Sequence, residues 1–425
     1  MSILNPFKKK EKVRLQKKDL LIVIIISSSL LFAVIYYSYI YNTPIRSEDF
    51  PTIRITYQGD LNTEDYIDGT FELESPDDSE DISSINCKIK IRGRLNSEMP
   101  KKGYRIELKD RVSLLGMRED DDWQLFAMYL DLTDIRIKLS FDLWRSLLQT
   151  NPTAILPESE YIVLYLNGEF QGLYLLAEKN DRRLFGLDDA QNNGYSSLIF
   201  QSDSHDFNFL EYSNDGWDQD WPNEYDGIYI KDDIFSELIP FMSQTSDSEF
   251  FNDSNGIFTK FDKLNLIDFY IFNFFILHKD FWSHNYFLVR NTYPSKFFLI
   301  PWDFDSSFGQ YLGRKYDSDE NLETEIFKRN YLYLRLMNND NFKKAVKERW
   351  FFLRESIWNE ESIIDMLSEI YYEIKVILEI DIDKWYPWYY DIEWSLKIDE
   401  AVEELFDWIP ERLIYCDSYF RNLYP

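Results

Sequence analysis

HKDFWSHN, residues 278–285, and PWDFD, residues 301–305, decide how this chain is read. Together they set an aspartate, an asparagine and a two-aspartate cluster close in sequence, each beside strongly apolar chain. Asp305 follows Ile300-Pro-Trp and precedes Ser-Ser-Phe-Gly. Carboxylates flanked by aromatic residues are costly to bury unless a metal or a base balances them. Phosphoryl transfer uses such a set: an aspartate to accept a hydroxyl proton, and an asparagine and an aspartate to hold magnesium on a nucleotide.

The step from Asp280 to Asn285 has the spacing of a protein-kinase catalytic loop, H-R-D-x-x-x-x-N, and His278-Lys279-Asp280 reproduces its lead-in. In this assignment Asp280 is the general base or hydroxyl-orienting group. Asn285 ligates metal from the same loop, Asp303 bridges magnesium to the phosphates, and Asp305 adds a second ligand or hydrogen-bonds the first. His278 packs and hydrogen-bonds within the loop. Asp303-Phe-Asp305 also fits the D-x-D of a glycosyltransferase, but no βαβαβ run opens the chain. The three histidines are not at zinc-ligand spacing.

Phosphates need donors, and Arg92-Gly93-Arg94 and Lys101-Lys102-Gly103-Tyr104-Arg105 supply them. There is no G-x-G-x-x-G and no P-loop. Lys102 and Arg105 are the first candidates for contact with the phosphates, with Arg92 and Arg136 behind them.

Outward from these motifs, the chain divides in two. Residues 51–180 read mainly as strands. Cys87–Arg92 and Tyr104–Lys109 alternate apolar and polar. A helix follows over about 133–148, then a hairpin turning at Asn167-Gly168. Residues 181–425 read mostly as helix, with segments near 264–277, 326–336, 341–357, 361–378 and 398–406, and strands at 286–290 and 296–300. Residues 202–227, rich in Asp, Asn and Ser, read as an exposed loop. The expected class is α+β: a two-lobed, protein-kinase-like fold with a β-rich small lobe and a mostly helical large lobe.

Ahead of it, residues 1–19 carry seven of the chain's 46 Lys/Arg and only two of its 75 acids. Leu20–Tyr41 is an uncharged apolar run of 22 residues, about 33 Å as a helix against a hydrocarbon core of about 30 Å. The sequence therefore predicts a basic cytoplasmic tail over 1–18, a transmembrane anchor over 19–41 and a linker over 42–50. The remainder is then extracytoplasmic on a single-pass membrane protein. The net charge of −29 over 425 residues argues against nucleic acid and anionic membrane beyond that anchor, and suits a basic protein substrate. Cys87 and Cys416 make no disulfide framework; both are expected as buried thiols.

Five stretches in order, KIRGRLNSEMPKKGYRIEL (90–108), SLLGMREDDDWQLFAMYLDLTDIR (113–136), YLNGEFQGLYLLAEK (165–179), HKDFWSHNYFL (278–288) and IPWDFDSSFG (300–309), resemble the spore-coat protein H (CotH) kinase family of atypical, secretory-type protein kinases. The resemblance covers about residues 50–310. It implies ATP and magnesium (or manganese) between two lobes, and transfer of the γ-phosphate to Ser/Thr of a protein partner, basic or Ser-rich. By motif, Asp280 takes the catalytic-loop role and Asp303 the metal role. An aromatic residue near the adenine falls at Phe297, where tryptophan is commoner in the family. The alternative is a catalytically degenerate kinase-fold scaffold for envelope or spore-coat assembly.

Overall fold

A computed structural model describes residues 50–76, 78–93, 97–203, 208–223, 227–279, 281–311, 314–385 and 398–425. All of them belong to one compact unit, Phe50–Pro425. The chain begins as strands β1 (Thr52–Tyr57), β2 (Ile67–Glu74), β3 (Ile82–Arg92), β4 (Gly103–Val112) and β5 (Asp120–Phe126). Helix α1 (Arg136–Ser146) intervenes before β6 (Ser159–Leu166) and β7 (Glu169–Glu178). The seven strands close into a barrel in the order β1-β2-β3-β4-β5-β7-β6. Closure is made by a parallel pairing of β1 with β6, Thr52 opposite Val163.

The alternation in β3 and β4 sets the two faces of this barrel. Ile89, Ile91, Tyr104 and Ile106 point inward with Ile55, Phe71 and Trp123. Lys90, Arg92 and Arg105 lie on the outer face, since side chains one residue apart point to opposite sides of a strand. The β6–β7 hairpin turns at Asn167 and Gly168, φ 51° and 79°, as an Asn-Gly type I′ turn requires.

A second sheet, in the order β11-β10-β8-β9, combines β8 (Leu198–Asp203), β9 (Trp217–Trp221), β10 (His284–Arg290) and β11 (Phe298–Pro301). The longer helices of this part are α2 (Lys231–Gln244), α3 (Lys263–Phe275), α4 (Glu323–Arg329), α5 (Tyr331–Met337), α6 (Asp340–Ser356), α7 (Glu360–Trp385) and α8 (Ile398–Asn422). Helix α3 is buried all round and packs on β11 and α6. Its one acid, Asp268, is buried but satisfied by Arg349 (2.7 and 2.9 Å) and Asn151 (2.8 Å).

Helix α7 packs on β7 and ties to it through buried charge. Lys101, fully buried, donates to Asp381 Oδ2 of α7 (2.8 Å), with Asp134 Oδ2 at 3.8 Å. The other Asp381 oxygen accepts from Leu173 N of β7 (2.8 Å). That approach needs Gly172, whose φ is +103° and whose hypothetical Cβ would lie 1.8 Å from Asp381 Oδ1.

The α+β class stands, and the strand-rich first part is a closed barrel. The expected single-pass membrane placement is corrected. Residues 19–41 lie outside the described residues, and among the described residues no helix is long and apolar enough to cross a membrane. The two long helices, α7 and α8, carry acids along their length, as in Glu369-Ile-Tyr-Tyr-Glu373 and Glu403-Glu404. Both cysteines are buried free thiols; burial pushes Cys87 up to about 12 and Cys416 up to about 11.

Candidate active site

Residues 278–285 and 301–308 are laced together at the end of α3. Phe308 N donates to Ile276 O (2.6 Å), Lys279 N to Ser306 O (3.2 Å) and Trp302 N to Asn285 O (2.9 Å). His278 is fully buried. Its Nε2 donates to the Asp303 carbonyl (2.9 Å), and its Nδ1 lies 3.1 Å from Asn273 Oδ1. It is packed as the sequence reading expects, but its hydrogen bonds leave its own loop: they join the end of α3 to the segment of Asp303. Asp280 lies outside the described residues; its neighbour Phe281 is buried, with its ring stacked on His278.

Backbone strain gathers here. Of the eleven non-glycine residues with positive φ among the described residues, Leu277, Trp282, Asn285, Asp303 and Phe308 fall in this one region. Such conformations cost about 1–3 kcal/mol each and persist where packing over-determines them, typically at functional sites. Asn285, Asp303 and Asp305 are half-buried, whereas Phe281, Trp302 and Phe304 around them are buried.

The outer face of the barrel bears cations on this acidic loop. Arg92 lies over the ring of Phe126 (3.9 Å to the centroid), and Phe126 packs edge-on against Trp302 (5.7 Å). Gly103 permits this, because a Cβ there would sit 3.0 Å from Arg92 Cγ. Arg92 Nε is buried with no hydrogen-bond partner among the described residues. Burial and then Arg105 push the Arg92 guanidinium down to about 10, while the charges of Asp303 and Asp305 pull the other way. Across the strands Lys90 pairs with Arg105, and Arg105 with Gln124.

Two of the other expected cations, Lys102 and Arg136, are engaged elsewhere. Lys102 Nζ donates to the carbonyls of Ser97 (2.7 Å) and Met99 (3.0 Å), closing its own loop. Arg136 pairs with Asp131 and donates Nε to Ser307 O (3.1 Å), so it positions the chain just after Asp305. Phe297 is buried against Phe261 (5.2 Å), with Arg290 over its ring (4.8 Å). Arg105 is exposed on the barrel face.

Sequence reasoning missed the ion network at the end of β7. Arg118 reaches Asp120, Glu178 (3.1 Å) and Asp181 (3.4 Å). Arg183 reaches Asp120 (2.6 Å), Asp121, Asp122 (3.2 Å) and Asp181 (2.9 Å). Oxygens of Asp120, Asp122 and Asp181 lie within 4.8 Å of one another, yet two guanidiniums already balance them. The signal in sequence was Arg118-Glu-Asp-Asp-Asp122, a basic residue leading an acidic run.

A family model described as "CotH kinase protein" matches residues 89–416, which include every element of this site. The chain belongs to the CotH kinase family. Inner spore coat protein H of Bacillus subtilis (strain 168) is 24% identical to this CotH-family chain in an alignment 349 positions long that covers 80% of this chain and 88% of that one. Among solved structures, the Golgi casein kinase matches over 88% of this chain and 74% of its own, at 9% identity and a TM-score of 0.28.

Proposed function

We propose that this CotH-family protein is a protein kinase that transfers the γ-phosphate of ATP to Ser or Thr of a protein partner. The observation that carries the proposal is Arg92: a guanidinium laid on Phe126, with an unspent donor, in the field of Asp303 and Asp305. A guanidinium with a donor to spare, within electrostatic reach of two carboxylates, suits phosphates and a metal between them. In this proposal the barrel side is the small lobe of a kinase-like fold, and the helical part is the large lobe.

Arg92, with Arg105 one strand away, binds the phosphates; the loop carbonyls that hold Lys102 argue against its serving. Phe297 is the aromatic residue nearest in motif to the base. Asn285, Asp303 and Asp305 would hold magnesium, or manganese, as hard oxygen donors, and their half-exposure suits an ion that keeps water and phosphate oxygens. Bound there, the metal would neutralise charge on the phosphates. Asp280 accepts the acceptor's hydroxyl proton as its oxygen bonds to the γ-phosphorus and the bond to the β-phosphate oxygen breaks, releasing ADP. The acidic run Asp317–Glu325, two of whose acids, Glu320 (3.2 Å) and Glu325 (3.0 Å), pair with Lys279, favours a basic or Ser-rich acceptor and disfavours nucleic acid.

The test is thermal shift of the full chain with ATP, GTP and UDP-sugars, with and without Mg²⁺ or Mn²⁺, and phosphate transfer to a basic, Ser-rich protein. ATP with magnesium should raise the melting temperature by mass action. Asp303→Ala should lose both that shift and the transfer while its own melting temperature holds. A shift with UDP-sugars alone would refute the kinase assignment, and metal–ATP binding without transfer to any protein would favour a scaffold.

A further inference from the structure

The end of β7 leads into Glu178-Lys179-Asn180-Asp181, where the three charged side chains and the first two carbonyls are all engaged. The Glu178 carbonyl accepts from Gln124 Nε2 (3.2 Å) and the Lys179 carbonyl from Arg118 Nη2 (3.2 Å). Lys179 Nζ pairs with Asp122 (3.1 Å). The Asp181 carboxylate accepts from the backbone N–H of Arg183 (2.9 Å) and Leu184 (3.0 Å). The exception is the side chain of Asn180. It is 8% exposed, and both Oδ1 and Nδ2 are buried with no hydrogen-bond partner among the described residues.

Buried amides are nearly always paired, and an unpaired one is costly. Here acceptor and donor are orphaned together, side by side on one planar group. That pair complements a planar ligand with an adjacent donor and acceptor. Adenine offers this on its edge, an exocyclic amine beside a ring nitrogen, and asparagine reads it with two hydrogen bonds. The carbonyls of Glu178 and Lys179 each already accept one hydrogen bond, from Gln124 and Arg118, whereas the Asn180 amide has both its donor and its acceptor unspent.

The position relative to the phosphate-binding candidates fits a nucleotide. One row of the barrel's outer face runs Lys90–Arg105–Gln124–Ala177 across the strands. Phe126, which carries Arg92, pairs with Leu175. Glu178 is three strand residues further on, about 10 Å at roughly 3.3 Å per residue, and Asn180 lies just beyond it. A base at Asn180 would have its phosphates directed toward Arg92.

We propose that the Asn180 carboxamide is a specificity-determining residue that reads the adenine edge of the bound nucleotide. The proposal rests on the nucleotide-binding function above. In the full chain with magnesium, affinities are measured by calorimetry for ATP, purine riboside triphosphate (which lacks the 6-amine), N6,N6-dimethyl-ATP and inorganic tripolyphosphate. Wild type should favour ATP over both analogues by roughly tenfold to a hundredfold. In Asn180→Leu that preference should collapse to within about threefold while tripolyphosphate binding is kept. The variant without nucleotide should melt at or above wild type, because an unpaired buried amide has been replaced by an apolar group. Retained ATP preference in Asn180→Leu, or equal binding of all three nucleotides by wild type, overturns the proposal. So does a fall of several degrees in the melting temperature of the variant without nucleotide, which would make the amide structural. If wild type binds neither tripolyphosphate nor any nucleotide, it is the kinase function that fails.

Discussion

Substituting Lys101→Met tests how much the barrel depends on helix α7. Lys101 has no exposure and sits between Asp381 (2.8 Å) and Asp134 (3.8 Å). Methionine keeps the volume and removes the charge, leaving two carboxylates buried with no cation. Breaking a buried pair from one side costs about 3–5 kcal/mol. With an unfolding entropy of about 2.1 cal/mol/K per residue, a unit of this size should melt roughly 4–6 °C lower. The effect depends on pH. Burial holds both Asp134 and Asp381 above the usual carboxyl range, with Lys101 opposing. A carboxyl whose folded pKa is raised stabilises the fold fully below its unfolded pKa of about 3.9, and that contribution is lost as pH rises through the folded value. Without Lys101 both should rise further, so the deficit of the variant should be largest near pH 7 and shrink toward pH 5. Thermal denaturation of both proteins across this range reads it directly. A Lys101→Met protein that melts within about 1 °C of wild type at pH 7, or whose deficit grows on acidification, refutes the reasoning.

Two further outcomes follow from single positions. Gly172→Ala should destabilise by about 3–5 kcal/mol, since the new Cβ would occupy the place of Asp381 Oδ1 at a φ of +103°; denaturant titration measures it, and a loss under about 1 kcal/mol would mean that α7 can shift freely. Arg92→Met should leave the melting temperature without nucleotide unchanged or higher, because burial depresses its guanidinium to about 10 and the charged form is costly at neutral pH; ATP affinity should fall about tenfold or more for the loss of a charged hydrogen bond of about 1.5–3 kcal/mol, as calorimetry would show.

The parts of the fold legible in the sequence were those with strict periodicity. Alternation marked β3 and β4, and Asn167-Gly168 marked the hairpin, because both depend on local geometry. Helix α3, expected over 264–277, spans Lys263–Phe275. The helix expected over 326–336 is two, because Asn330 caps the second through its side chain on Tyr333 N (3.2 Å) and leaves the helical region at ψ 103°. Strand β9 hid within the polar stretch read as a loop. Its Trp217 and Gln219 are buried, and Gln219 serves the N–H groups of Ile230 and Lys231 (both 3.1 Å), so a polar residue does internal structural work there. At the site, spacing was enough to pair Asn285 with the loop of Asp303, since both segments border neighbouring strands. Spacing could not rank the cations. The sequence put Lys102 ahead of Arg92, but Lys102 is held by the carbonyls of Ser97 and Met99, while the missing side chain of Gly103 makes room for Arg92 on Phe126. The sequence marks Glu178–Asp181 as the hinge that follows the hairpin, but it could not single out Asn180 there, because an unsatisfied amide is defined by what surrounds it.

The barrel closes through β1 and β6, paired in parallel with about 110 residues of chain between partners. During synthesis β1 therefore leaves the ribosome long before the strand that completes its hydrogen bonds. At about 5–20 residues per second the wait is roughly 5–20 s. For that interval Ile53 and Ile55, fully buried in the finished barrel, have only β2 beside them. Arg54, beside them on the other face, pairs with Glu74 of β2 (3.1 Å). The nascent chain thus carries an unfinished hydrophobic ribbon with a charged outer side, so the interval before β6 emerges is when chaperones would matter most for this protein.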